Sequence, residues 1–344
     1  MLSQTTTQTS ASTPVGMLPR EPRAAGWRIF EEADELARGI QGAQLRITPK
    51  ERAPGPWALM PLALERGFVQ YVDEPCAALT HGVVSRDVAG FGVALASAGA
   101  GGYRMNGHPV SGNVFAMFGP GAAHFASSSG PTRWAAVSFA PMDLGTALGA
   151  LRGGEPPTLG TVFRPVLAAP GAANAAVDLL FAALRRIEDD PAAFAEANAR
   201  ATLERALLDA FARAVASADP AAAQDRAKLP ATRLVRQCEE YLESHLHLPV
   251  YIAELCTLTG ASERTLRNAF HTVYGVGPTR YLVQRRLAMA RRALRHAQPG
   301  DTVTAIATRN GLWDLGRFAA DYRALYGEPP SATLRAARGG ALAA

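Results

Sequence analysis

The sequence predicts an α+β chain of two domains: a β-rich N-terminal part with following helices, and an all-α C-terminal part. Three observations carry this reading. From Gln44 to about Phe139, short runs of alternating apolar residues are broken by Gly and Pro, the pattern of a β-sandwich or small barrel. The last hundred-odd residues hold their apolar positions at helical spacing instead, in two similar blocks. Charge divides at the same place: from Lys228 onward 16 Lys and Arg stand against 9 Asp and Glu, a net of about +7, which leaves about −2 for the rest of the 344 residues. A basic third beside a slightly acidic remainder is what a nucleic-acid module joined to a sensing module produces, and the length suffices for two separate cores.

Taken in order, residues 1–25 are rich in Ser, Thr, Gln and Pro without periodicity and are expected to form a disordered tail. An effector-sensing or dimerisation domain is expected over 26–217. Its strand candidates are Leu45–Thr48, Leu59–Leu64, Phe68–Val72, Ala78–Ser85, Phe91–Ala96, Val114–Phe118 and Trp134–Phe139. Gly99-Ala-Gly-Gly102 and Asn106-Gly107 read as turns, the second as a hairpin. Two helices follow, from about Ala172 to Glu188 and from about Pro191 to Ala218. Their stripes are Val177, Leu180, Phe181 and Leu184, then Leu203, Leu207, Leu208, Phe211 and Val215. Such a pair either covers the β domain or meets a second copy of the chain in a homodimer. Residues 218–230 read as a linker, 231–336 as the second domain and 337–344 as a tail.

In the second domain, Val250 to Phe270 and Val303 to Tyr322 each read as a short apolar helix, a Gly-containing turn, an N-cap (Ser262, Asp314) and a second helix. Two such helix-turn-helix units in tandem point to double-stranded DNA. After Ser262, Leu266, Phe270 and Val273 share one face, while Arg264, Arg267, Asn268 and His271 share the other, with Thr265 beside them. Arginine forks suit guanine O6 and N7, and an amide suits adenine, so these are candidate base readers, although any surface helix also shows a polar face. In the second unit Phe318, Tyr322 and Leu325 point inward. The outward positions hold Leu315, Gly316, Arg317, Ala319, Ala320 and Asp321, of which Arg317 alone is a good base reader. This half is expected to act through backbone contacts and shape, with a helix start near Pro330 or Ser331 offering amides to a phosphate. Between the units, Arg280, Arg285, Arg286, Arg291, Arg292 and Arg295 surround Leu282, Leu287, Ala290 and Leu294, and some of these arginines are expected at phosphates.

From about Leu234 to Leu334 the chain resembles the AraC/XylS transcription regulators. The matching residues include Ile252-Ala-Glu-Leu-Cys256, Ser262-Glu-Arg-Thr-Leu-Arg-Asn-Ala-Phe270, Gly275-Val-Gly-Pro278, Gly311-Leu-Trp313 and Tyr322-Arg-Ala-Leu-Tyr-Gly-Glu-Pro-Pro-Ser331. The resemblance implies seven helices with a long linker helix between two helix-turn-helix units, and a cupin-like effector domain before them. It places base-reading positions on Arg264, Arg267 and Asn268, and on Gly316, Ala319 and Ala320, where the usual polar readers are absent. It makes Arg286 structural, tied to acidic or carbonyl groups of its own domain. Within the family, Gly311–Tyr322 and Asn268–His271 look most like the ethanolamine-utilisation regulators, an analogy that suggests ethanolamine or adenosylcobalamin as inputs. RNA polymerase is the further partner implied.

The expected function is therefore a DNA-binding transcription regulator, an activator, responding to a small-molecule effector. One alternative keeps the DNA-binding domain under control of a protein partner or of abundance. Another is a DNA-repair enzyme fused to the same domain, which needs a reactive cysteine in an electropositive setting; Cys76, within Glu74-Pro-Cys-Ala, has no basic neighbours in sequence. No catalytic residue, metal or firm cofactor is expected. His81, His108 and His124 are isolated, without the His-x-His spacing of a metal-dependent β-barrel enzyme. Trp57, Phe68, Tyr71, Phe91, Tyr103, Phe115, Phe118 and Trp134 are candidates for a pocket lining or for ordinary core. Cys76, Cys238 and Cys256 suggest no disulfide framework or zinc site, Cys256 being expected as a buried thiol. No apolar run approaches the ~20 residues of a membrane span, so a cytoplasmic location without membrane association is expected.

Overall fold

The computed structural model describes residues 26–161, 163–218, 229–246, 248 and 250–341. The expected N-terminal tail and most of the expected linker lie outside them.

Two sheets pack face to face. One has seven strands in the order β1 (Arg28–Phe30), β3 (Trp57–Ala63), β4 (Phe68–Glu74), β11 (Thr132–Phe139), β6 (Ala89–Ser97), β9 (Val114–Phe118) and β12 (Phe163–Leu167). The other has five, in the order β2 (Ala43–Pro49), β5 (Ala78–Val84), β10 (Ala123–Ser128), β7 (Tyr103–Met105) and β8 (His108–Pro109). All pairings are antiparallel. Each of the seven strand candidates falls on a strand. Five strands (β1, β7, β8, β10 and β12) were not anticipated, because they are short or, like His124-Phe-Ala-Ser-Ser128, mix polar and apolar residues. The expected hairpin is present: Asn106 (φ 48°) and Gly107 (φ 79°) join β7 to β8 in the left-handed conformation that Asn and Gly adopt at least cost.

Side chains alternate across a strand, so each sheet has two faces with different duties. Trp57, Leu59, Val72 and Trp134 of the large sheet meet Ile47, Ala78, Tyr103, Met105 and Ala126 of the small one in a buried core between the sheets. Glu74 is enclosed there, accepting from Trp134 Nε1 (3.0 Å) and Ser128 Oγ (3.4 Å). Burial pushes its carboxyl up to about 7. The outer face of the large sheet, with Tyr71, Phe91, Val93, Val137 and Phe139, is covered by α2 (Pro141–Arg152), α3 (Pro170–Asp189) and α4 (Ala197–Ala216). Phe91 stacks on Phe211 of α4 at 4.6 Å, and Tyr71 donates to the Leu180 carbonyl of α3 (2.8 Å). The two expected helices thus cover the β domain. The second starts at Ala197 rather than Pro191, since the chain turns at 191–194. A short helix, α1 (Ala33–Gly39), and α2 were not anticipated.

The C-terminal part comprises seven helices among the described residues: α5 (Leu229–His245), α6 (Ile252–Thr259), α7 (Glu263–Tyr274), α8 (Pro278–Arg295), α9 (Val303–Arg309), α10 (Leu315–Tyr326) and α11 (Pro330–Ala341). Leu229 and Pro230, expected in the linker, already belong to α5. Residues 337–341, expected in a tail, complete α11, whose pattern lacks a Gly–Pro stop. Two cores divide these helices. Val235, Cys238, Leu255, Leu266, Phe270 and Val273 form one, and Ile306, Phe318, Tyr322, Leu325 and Leu334 the other. Helix α8 spans both, giving Tyr281 and Leu282 to the first and Leu287, Ala290 and Leu294 to the second.

The outer face of the small sheet carries this helical part. Leu79 and Phe125 belong to the first helical core, and Phe125 meets Tyr274 edge to face at 6.0 Å. Ser127 Oγ donates to the Tyr274 carbonyl (2.7 Å).

Candidate nucleic-acid interface

The turn before α7 follows from its residues. Gly260 ends α6 in the left-handed conformation (φ 65°), and Ser262 Oγ then accepts from the Thr265 amide (3.2 Å), starting α7 as an N-cap does. Leu266, Ala269, Phe270 and Val273 are buried, which turns Arg264, Thr265, Arg267, Asn268 and His271 to solvent. Glu263, Arg264, Arg267 and Asn268 line one open concavity on that face. The Arg267 guanidinium lies 2.5 Å from Glu263, one turn back, an exposed pair that a phosphate or base can replace at small cost.

The second unit repeats the construction. At Gly311 (φ 72°) a Cβ would come within 2.9 Å of Arg286 Nε and 3.1 Å of the Leu246 carbonyl, so glycine fits both the turn and the close approach. Asp314 Oδ1 accepts from the Arg317 amide (3.0 Å), and α10 buries Phe318, Tyr322 and Leu325. Its outward face carries Leu315, Gly316, Arg317, Ala319 and Ala320, all exposed. Trp313, just before the cap, is 57% exposed.

The arginines of α8 divide in a way the sequence did not show. Arg286 donates to the Leu248 carbonyl (2.8 Å), the structural role expected for it. Arg285 is not at the surface: its side chain is 3% exposed and donates to Glu239 of α5 (2.7 Å). Arg291 and Arg295 are drawn to acids as well, Arg291 to Glu32 and Glu328 (both 2.6 Å) and Arg295 to Glu35 (2.9 Å). Glu32 and Glu35 lie at the start of α1, which thereby binds the β domain to α8. Of the six, Arg280 and Arg292 are exposed, with Arg292 Nε 3.9 Å from Asp34. At the start of α11, Glu328 accepts from Thr333 Oγ1 (2.7 Å) as well as from Arg291.

Tertiary folding also assembles a cluster that no sequence spacing announces. Arg46 of β2 donates to Glu239 (3.0 Å), Glu243 (2.7 Å) and Nδ1 of His81 (2.6 Å). Tyr274 Oη donates to Glu239 (3.3 Å). Burial, with the Arg46 and Arg285 guanidiniums alongside, pushes the His81 imidazole down to about 3, so it is neutral and accepts. The ligand atoms of His81, Glu239 and Glu243 lie within 4.8 Å of one another. Two guanidiniums already neutralise these carboxylates, and the cluster joins the domains as an ion-pair network.

Inside the sandwich a cavity of about 30 Å³ is lined by Gln70, Gly92, Met105, Phe118, His124 and Trp134 among others. Phe118 and Trp134 are the pocket candidates that reach it; Tyr71, Phe91 and Phe115 pack under the helices, and Trp57 and Tyr103 in the inter-sheet core. His124 Nε2 is buried without a hydrogen-bond partner among the described residues, and burial pushes this imidazole down to about 4. Cys76 and Cys238 are buried free thiols, while Cys256, expected buried, is half-exposed.

The fold and this face define a two-domain chain bearing a double helix-turn-helix domain. A family profile described as a helix-turn-helix domain matches residues 255–336. The chain is 38% identical over 103 residues to the "Probable thc operon regulatory protein" of Rhodococcus erythropolis, covering 30% of this chain and 31% of that one. It is 35% identical over 97 residues to the XylDLEGF operon transcriptional activator of Pseudomonas putida, covering 28% and 30%. Among solved structures, the AraC-like transcriptional activator CuxR aligns over 83% of this chain and 98% of its own at 13% identity, with a TM-score of 0.41. The C-terminal part is thus a helix-turn-helix domain similar to those of these operon regulators. The chain spans about 30% of the length of the curated relatives it matches. No described helix is long and apolar enough to cross a membrane.

Proposed function

We propose that this chain is a cytoplasmic, sequence-specific transcription regulator, an activator, whose N-terminal sandwich responds to a small molecule. The observation that carries the DNA half is the exposed face of α7, where Arg264, Arg267, Asn268 and His271 stand on a capped helix whose other side is buried. Arg264, Arg267 and Asn268 then read base edges, with Thr265 and His271 at the groove wall. On the other helix Arg317 acts with the backbone brought close by Gly316 and Ala320.

The effector half rests on the small sheet. It is one strand layer thick between the cavity and the DNA-binding domain: His124 and Ala126 face inward, while Phe125 and Ser127 face Tyr274. A ligand that spreads the sheets and bonds His124 Nε2 therefore displaces the strands that hold α7. A cavity of about 30 Å³ has room for about one water, so binding requires the sandwich to open, and a body as large as adenosylcobalamin does not fit the closed form. RNA polymerase and a second copy of the chain complete the proposed partners; Met142, 80% exposed on α2, offers an apolar contact. Against the repair-enzyme alternative, Cys76 is 1% exposed and burial raises its thiol far above the range of a reactive thiolate.

Selection of the full chain on a randomised duplex library, followed by thermal-shift measurement with candidate metabolites, tests both halves. Enrichment of one sequence family supports the DNA reading, and absence of enrichment overturns it. A ligand at 100 times its Kd raises stability by about 2.7 kcal/mol. If no metabolite shifts melting while selection succeeds, control by a protein partner or by abundance replaces the effector.

A further inference from the structure

Trp313 is the least explained large side chain of the DNA-binding domain. It precedes the cap Asp314, the position from which an apolar residue ordinarily folds back onto the fourth residue of the helix, here Phe318. Phe318 is instead buried in the second helical core, which recruits Leu312 from this turn and leaves Trp313 outside. No hydrogen bond or ring contact holds the indole among the described residues. Leu315, the first residue of α10, is 40% exposed beside it. Two large apolar side chains thus flank the start of a recognition helix, the end that meets base edges in helix-turn-helix docking. The next outward positions, Gly316, Ala319 and Ala320, are small enough for close approach, and the side chain of Arg317 is 75% exposed.

We propose that Trp313 and Leu315 form an apolar reader that recognises thymine 5-methyl groups in the major groove beneath α10. The inference rests on the DNA-binding reading above and adds to it the chemistry of the second half-site. The methyl group is the apolar feature of the major-groove edges, and the apolar surface of an indole ring and a leucine side chain distinguishes it from cytosine, which carries hydrogen there. The patch is continuous with the helix face that carries Arg317. Arg323, exposed on the same helix, supplies positive charge for a neighbouring phosphate.

The test uses the full chain and the duplex it selects from a randomised library. Selection is expected to enrich thymine under the second unit, as located by footprinting. Replacing each such thymine by deoxyuridine removes only the methyl group and is expected to weaken wild-type binding about fourfold per methyl in contact. Trp313→Ala and Leu315→Ala are expected to bind the thymine duplex more weakly and to lose the preference over deoxyuridine, whereas Trp313→Phe retains part of it. Wild-type binding that is indifferent to deoxyuridine, or a selected site without thymine there, overturns the inference and leaves the DNA-binding reading intact. Failure to select any sequence overturns that reading itself. A Trp313→Ala protein with unchanged discrimination but reduced transcription in a reconstituted system assigns the patch to a protein partner and likewise overturns the inference.

Discussion

The two helix-turn-helix units share a plan and differ in what they show the outside. Helix α7 offers long polar side chains; α10 offers small and apolar ones around a single arginine. They differ again in how the β domain holds them. The first unit sits on the small sheet through Phe125, Ser127 and the Arg46–Glu239–Arg285 network, with Glu239 and Arg285 almost fully buried. At the second unit, α1 meets the far half of α8 through the partly exposed pairs Glu32–Arg291 and Glu35–Arg295. The difference teaches that the unit with the polar outer face is locked to the small sheet by desolvated contacts, while its twin is held by charges that solvent reaches.

The sharpest way to break this comparison is Glu239→Ala. It strands the buried Arg285 guanidinium and removes the acceptor of Arg46 and Tyr274, so denaturant unfolding is expected to show a loss of about 3–5 kcal/mol. A loss below 1 kcal/mol would mean that the network does not lock the first unit. Next in size are Arg264→Ala and Arg267→Ala, each expected to cost about 1–3 kcal/mol on the selected duplex and to relax preference at one base position. By contrast Arg317→Ala is expected to weaken binding on most sequences alike. Equal losses on selected and random DNA for Arg264→Ala would move that arginine to a phosphate and erase the distinction between the units.

Ser262→Ala and Asp314→Ala are each expected to lower stability by about 1 kcal/mol, because each leaves a first-turn amide without its acceptor. Hydrogen exchange should then place the extra opening in α7 for one variant and α10 for the other. The smallest effect belongs to Glu35→Gln, expected to cost under about 1 kcal/mol at low salt and nothing measurable at 1 M, where screening has already weakened the pair with Arg295. A salt-independent loss would show that α1 is held by packing through Leu36 and Ala37 instead of charge.

Much of the fold was legible because its signals are local. Strand candidates such as Phe68–Val72 declare themselves by length and apolar content, and the Asn106-Gly107 turn by backbone preference. Ser262 and Asp314 mark helix starts through a bond that spans three residues. The strands β7, β8 and β10 were less visible, since their residues answer to neighbours from distant segments. His124-Phe-Ala-Ser-Ser128 makes sense only as a central strand with the inter-sheet core on one side and Tyr274 on the other. On the candidate interface, the polar face of α7 was readable from periodicity. The exposure of Trp313 was not, because it depends on which residue of the turn the second core takes in.

By itself, the sequence determined the class of each half, the two capped recognition helices and the poverty of polar readers on the second, all consequences of spacing along one segment. Tertiary structure alone decided which charges are free. Arg286 apart, the arginines of α8 look equivalent along the chain, yet Arg285 is buried against Glu239, Arg291 and Arg295 are claimed by Glu32 and Glu35 from near the start of the chain, Arg292 lies exposed 3.9 Å from Asp34, and Arg280 stays exposed. Periodicity sorts residues by helix face. Which acid arrives at that face depends on a docking that brings together segments more than 250 residues apart, and Coulomb attraction at 2.6 Å then settles the partner.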